Sequence, residues 1–365
     1  MPGTRVDPAR LARLRAATQL IHRPVSAKDP AEIARSIAGA QAQDVYAGPQ
    51  TFRSRSRKLT AADITRARVE DRSLLRTWVM RTTVHLIPTD DAGWWLPIFE
   101  PGIERWSRRR LEQLGLPPGQ EDKALRVIAK ALADEGPLTR PEAAQRVVEA
   151  GVKLNEHTRL HVIGLAVTSG IACLGPDRGK TTCLVLREDW LGKPPPFDRD
   201  KALAELARRY IGAFAPATDR DFAYWSGLPL RDVRAGLEYI SKEIEEVRVG
   251  DETMLAPRGG LPRLPATGQV RMLGNFDIYL LGWKDRAFSV ASEHATHVKE
   301  GGGGWIRPVI LEDGIVVGGW RSSRKGDRLE ITLNLPKAEL ERLSAKIDAE
   351  VADIAGFEGI EATMA

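Results

Sequence analysis

Two stretches of the chain, GPLTRPEAA (136–144) and APATDRDFA (215–223), follow one plan. A turn carrying proline leads to a threonine placed to cap a helix, and the helix follows. Each stretch sits inside a longer order that also repeats. In DKALRVIAKALADEGPLTRPEAAQRVVEAG a helix stops at a Gly-Pro break, Thr139 caps a second helix, and Pro141 falls in its first turn. NEHTRLHVIGLAVTSGIACLGPDRGKTTCLVL then supplies a third helix and a hairpin tipped by GPDRGK. The later copy runs from ALAELARRYIGAF through PATDRDFAYWSGLPLRDVRAGLEYI to the hairpin IEEVRVGDETMLAP. Three helices followed by a β-hairpin describe a winged helix, a variant of helix-turn-helix.

The first 90 residues fit the same order. ARLARLRAATQLI has helical periodicity and is ended by Pro24. Ser26 and Asp29 are candidate caps for a second helix with Pro30 in its first turn, and Thr60 with Asp63 approaches a capping box. LLRTWVMRTTVHLIP then reads as strand. After the linker RGGLPRLPATGQ come short strands with turn signals, including Asp313-Gly314, and a final helix KAELERLSAKIDAEVADIAGF. The expectation is an α+β chain: winged helix 1 with a linker helix (1–118), winged helix 2 (119–196), winged helix 3 (197–262), and a C-terminal β-barrel-like unit with a closing helix (263–365).

With 42% hydrophobic and 28% charged residues among 365, the chain reads as soluble and globular. No apolar run approaches the roughly 18 to 20 residues of a membrane helix. MPGTRVDPARLARLR lacks an apolar signal core, and two cysteines, Cys173 and Cys183, make no disulfide framework or zinc spacing. A reducing bacterial cytoplasm is the expected compartment. The net charge of +5 is modest, but basic residues cluster at Arg53, Arg55, Arg57 and Lys58, at Arg105 with Arg108 to Arg110, and at Arg321, Arg324, Lys325 and Arg328. Such clusters suit a phosphate backbone, and each one taken singly also suits a solvated face.

Most candidate chemistry dissolves on inspection. In GPDRGKTT, Gly175 and Gly179 enclose three residues where a phosphate loop needs four, so Arg178 and Lys180 are read instead as a wing tip reaching DNA phosphates. His157 with His161 and His294 with His297 lack a metal signature, and GGGG (301–304) reads as a turn. Strand alternation places Arg81, Thr83 and His85 on one polar face, which either meets solvent or lines a groove. In QAQD, Gln41 and Gln43 point the same way if the chain leaves its helix at Gly39, and diverge by roughly 200° if it stays helical. The pair is either a cooperating site or two amides satisfying buried backbone groups.

Five stretches in order, QAQD, LLRTWVMRTTVHLIP, PATDRDFAYWSGL, NFDIYLLGWKDR and IRPVILEDGIVVGGW, resemble the winged-helix DNA glycosylases of the AlkZ and YcaQ type, over nearly the whole chain. The resemblance implies three tandem winged helices, a β-rich C-terminal unit, and excision of N7-alkylated guanines, including bulky natural-product adducts and, in some members, crosslinks. It implies a monofunctional enzyme on double-stranded DNA, with no cofactor, metal or membrane, expected to act as a monomer. The family's catalytic signature falls on Gln41, Ala42 and Gln43. Asp44, Thr83 and His85 are candidate surroundings, and Arg53, Arg55, Arg57, Lys58, Arg178, Lys180, Arg321, Arg324 and Lys325 candidate DNA contacts. Two other classes compete: a winged-helix regulator, and a protein that sequesters a genotoxin.

Overall fold

The computed structural model describes residues 4–22, 24–26, 29–44, 46–179, 181–264, 266–299 and 305–364. The fold is α+β: helical bundles and hairpins lead to a curled, half-barrel C-terminal sheet and a terminal helix. Contacts divide it into two compact units, Arg68–Ala202, and Met1–Ala67 with Leu203–Ala365.

Local chemistry sets the helix starts. Asp29 caps Pro30–Ser36 by accepting from the Ala31 amide at 2.8 Å, with proline at the first position. Thr60 and Asp63 bond reciprocally before Ala61–Val69. Thr139 and Thr218 each complete a capping box, with Glu142 and Asp221, so the two related stretches build the same helix start.

In the unit Arg68–Ala202, the helices Gln120–Glu135, Arg140–Glu149 and Glu156–Thr168 are followed by the hairpin Ala172–Arg178 and Thr181–Leu186. Strand order is Val84–Pro88, Leu74–Trp78, Ala172–Arg178, Thr181–Leu186, Leu138–Thr139. Ile128, Leu132, Val147, Val162, Leu165 and Leu184 form its core. The stretch read as one continuous strand is two. Between Leu74–Trp78 and Val84–Pro88, Arg81 (φ 54°) and Thr82 (φ 60°) take left-handed conformations, and the turn interrupts the alternation expected for Arg81, Thr83 and His85.

In the other unit, helices Asp219–Ser226 and Leu230–Tyr239 lead to the hairpin Ile244–Val249 and Glu252–Pro257. The strand Thr4–Val6, not foreseen from sequence, adds to that hairpin in parallel. Tyr210, Phe214, Phe222 and Trp225 pack together in this unit, and the Trp283 indole donates to Phe214 O at 3.0 Å.

The C-terminal sheet has five strands in the order Val270–Leu273, Val309–Glu312, Ile315–Lys325, Arg328–Asn334, Glu361–Met364. The last joins in parallel and was also unforeseen. The sheet is a curled half-barrel, in keeping with the β-barrel-like unit expected but left open. The helix Lys337–Glu358 lays Leu343, Ile347, Val351 and Ile354 against Met272, Ile310, Trp320 and Ile331, so one sheet face is buried without strand closure.

Candidate active site

The segment carrying the glutamines leaves its helix where the alternation argument requires. Pro30–Ser36 ends, Ala38 (φ 58°) and Gly39 (φ 84°) turn the chain through left-handed backbone, and Ala40–Gln41 is extended. Glycine accepts that conformation at little cost. Ala42 is buried against Gly48 in the next helix, Ala47–Arg53. A Cβ added at Gly48 would lie 2.8 Å from the Ala42 Cβ, so only glycine permits this approach. The apolar residue between the glutamines is thus an anchor that fixes how both are presented.

Their environments differ. Gln41 is 4% exposed, and its Oε1 is buried with no hydrogen-bond partner among the described residues. Gln43 is exposed, at the bend that follows the extended pair. A buried acceptor without a donor normally costs about 1–3 kcal/mol. Fold geometry therefore leaves this amide oxygen without a donor among the described residues.

Asp44 is held on both sides. Its Oδ1 accepts from the Tyr46 amide at 2.8 Å, and its Oδ2 accepts from Asn275 Nδ2 at 3.2 Å. Asn275 begins the NFD stretch of the C-terminal unit, so two distant parts of the chain meet beside the glutamines. Two residues here escaped sequence reasoning. Asn275 lay inside a resembling motif with nothing to mark its side chain. Tyr46 is 73% exposed, an aromatic ring three residues beyond Gln43 in an otherwise small-residue stretch, and that was its available signal.

The basic cluster nearby does not face DNA as expected. Arg53 and Arg55 are 2% and 0% exposed. Arg53 donates to Gln50 at 2.9 Å, Glu350 at 3.1 Å, Asp353 at 2.7 Å, and Met272 O. Arg55 makes a bidentate pair with Asp277 at 2.8 Å on each arm and donates to Gln19 at 3.1 Å. These donors are spent inside the fold, while Arg55 Nε is buried without a partner among the described residues. Burial opposes ionisation of Glu350, but Arg53 and Arg271 outweigh it and hold the carboxyl below the usual glutamate range. Arg57 and Lys58, just beyond, are exposed, as are Arg321, Arg324 and Lys325 on the strand Ile315–Lys325.

Thr83 and His85 belong to the other unit. His85 is 2% exposed, its Nδ1 lies 3.0 Å from Thr83 O, and burial pushes its pKa down to about 3. It is a neutral core imidazole there, not part of an exposed polar face. Arg178 is exposed but pairs with Glu142 at 2.9 Å and donates to Pro137 O. Lys180 and the glycines 301–304 lie outside the described residues. Among the described residues no cluster of three or more metal-ligating side chains occurs, and no helix is long and apolar enough to cross a membrane.

Helical bundles followed by β-hairpins are an arrangement that suits a protein handling DNA. Comparison makes this specific. The family profile "DNA glycosylase AlkZ-like" matches residues 34–357, and the chain belongs to that family. It is 32% identical over 312 residues, 80% of its length and 81% of the other's, to an "Interstrand DNA cross-link repair glycosylase" of Streptomyces sahachiroi. The solved structure of Streptomyces sahachiroi DNA glycosylase AlkZ matches it with a TM-score of 0.77 at 26% identity, covering 99% of this chain and 100% of that one. A role in DNA repair as a glycosylase follows from this membership.

Proposed function

We propose that the chain hydrolyses the N-glycosidic bond of cationic N7-alkylated guanine in double-stranded DNA, leaving an abasic site, with bulky adducts and interstrand crosslinks within its range. The observation that carries this is the buried, unpartnered Oε1 of Gln41. Alkylation at N7 gives guanine a positive charge, so the base departs without prior protonation. As the bond to the sugar breaks, positive charge develops on the sugar. An amide oxygen fixed in a water-poor site stabilises that charge, and an exposed amide beside it holds the attacking water. Gln41 takes the first role and Gln43 the second.

Asp44 is assigned to positioning, since both its oxygens already accept hydrogen bonds. Tyr46 offers an exposed ring on which a base can stack. Arg57, Lys58, Arg321, Arg324 and Lys325 remain the proposed phosphate contacts, with Arg178 and Lys180 at a wing. The three helix-and-hairpin segments are read as tandem winged helices. The protein is proposed to act as a monomer in the bacterial cytoplasm.

The test is a duplex with a single N7-methylguanine, treated with alkali after incubation to reveal abasic sites. Gln41→Ala is expected to lower kcat by about 10² to 10³, the scale for losing one fixed transition-state contact. Gln43→Ala should lower it as well. Efficient release of uracil or 8-oxoguanine, both neutral lesions, would sink the mechanism. Retention of full activity in the double variant would sink the site assignment. Tight binding without release would favour the regulator or sequestering reading.

A further inference from the structure

A cavity of about 550 Å³ opens beside the glutamine segment, with Asn275, His297, Trp305, Arg307, Gly319 and Arg321 among its walls. That volume falls within the usual range of ligand sites, about 300–1,000 Å³. Asn275 joins the cavity to the site: the side chain that lines the wall also donates to Asp44, next to Gln43. Trp305 is 43% exposed and braced edge-on against Phe276, with centroids 4.7 Å apart, so a flat indole is presented without being buried. His297 Nδ1 is buried with no hydrogen-bond partner among the described residues. Burial, then His294 and Arg307, lower the His297 pKa, so the ring is neutral near pH 7 and Nδ1 can donate or accept.

The charge and shape of the walls select the occupant. Two guanidinium groups repel a cationic guanine ring, so the alkylated base itself does not belong here. A phosphate satisfies the guanidiniums but leaves the indole and the buried imidazole unused. A neutral aromatic group bearing oxygen uses the remaining groups: its face stacks on Trp305, and its oxygen meets His297 and Arg307, leaving Arg321 to the DNA backbone. We infer that this cavity receives the neutral, oxygen-bearing aromatic part of the N7 substituent while the guanine lies at the glutamines. The inference rests on the glycosylase reading above and gives its substrate a class, aryl-substituted N7 adducts.

Gly319 supplies the probe. A Cβ there would lie 3.5 Å from His297 Nδ1 and 3.5 Å from Pro308 O, an ordinary contact, so the backbone tolerates a side chain that grows into the cavity. Two duplexes carry equal charge and differ only in substituent: one N7-methylguanine, and one N7-(2-hydroxy-2-phenylethyl)guanine made with styrene oxide. The ratio of kcat/KM, aryl over methyl, is measured for wild type, Gly319→Leu and His297→Ala. We expect the ratio to fall about tenfold in Gly319→Leu and severalfold in His297→Ala. The methyl substrate reports whether each variant is folded. An unchanged ratio, whether both rates persist or both fall together, overturns the cavity assignment while leaving the glycosylase reading in place. If the wild type releases neither base, the glycosylase reading fails and takes this inference with it.

Discussion

Two basic clusters of similar composition meet opposite fates in this fold. Arg53 and Arg55 sit at the end of a short helix and are buried to within 2% of completeness. Arg321, Arg324 and Lys325 line a long strand and stay exposed. The difference is not in the arginines but in what the rest of the chain brings to them. Arg55 meets Asp277, 222 residues away, and Arg53 meets Glu350, 297 residues away. A buried guanidinium persists when it is paired and hydrogen-bonded, and both of these are, although Arg55 Nε has no partner among the described residues. In the exposed cluster Lys325 pairs with Glu330 at 2.7 Å, and Arg321 and Arg324 keep their charge facing water.

The sharpest way to break the comparison is to remove a buried partner. Arg55→Ala leaves Asp277 charged, with both members of the pair 0% exposed. We expect a loss of about 3–5 kcal/mol in urea unfolding, enough to unfold a marginal domain. Replacing both partners, Arg55→Met with Asp277→Leu, should recover much of it. A single variant as stable as wild type would mean that the pair does not hold the amide segment to the C-terminal unit.

Buried titratable groups in the same unit should make the protein sensitive to mild acid. His22 is 5% exposed, neither ring nitrogen has a partner among the described residues, and burial lowers its pKa to about 4 from 6.5. A lowered folded-state pKa means that the unfolded chain binds the proton first. Stability is therefore complete above pH 6.5 and lost as pH falls toward 4, by about 3 kcal/mol in all at 1.36 kcal/mol per unit. Glu350, whose carboxyl is also held low, adds a further loss below about pH 4.3. Urea midpoints measured from pH 7.5 to 4 test this, and His22→Leu should flatten the upper part of the curve. A flat wild-type profile between pH 6.5 and 5 would show that His22 is not buried neutral in solution.

What was legible in the sequence was local. Thr60, Thr139 and Thr218 could be read as caps because a capping residue acts within three positions of itself. Gly39 marked the end of its helix for the same reason. The expected polar face failed at Arg81, because Arg81 and Thr82 turn left-handed without glycine to announce it, and at His85, which is buried. Strands Thr4–Val6 and Glu361–Met364 are short and pair with distant partners, so no local pattern marks them. The amide pair was visible as a spacing, but its asymmetry was not. Burial of Gln41 depends on Ala42 seating against Gly48 and on the segments packed around it, and no spacing rule carries that.

The smallest effect on stability should come from the exposed cluster, and it sharpens the contrast most. In the triple variant Arg321→Ala, Arg324→Ala and Lys325→Ala, the urea midpoint should stay where it is, because no buried group loses a partner. Undamaged duplex DNA should nevertheless bind more weakly at low salt. Each lost phosphate contact lowers the slope of log affinity against log salt by about 0.9. Selectivity between N7-methylguanine and a neutral lesion should not move, since backbone contacts position the duplex and do not read the base. The opposite pattern, an unchanged salt slope with a lowered midpoint, would give this cluster the structural role of Arg53 and Arg55. Exposure alone would then be no guide to which arginines meet DNA, and Arg57 and Lys58, exposed beside the buried pair, would become the first residues to test.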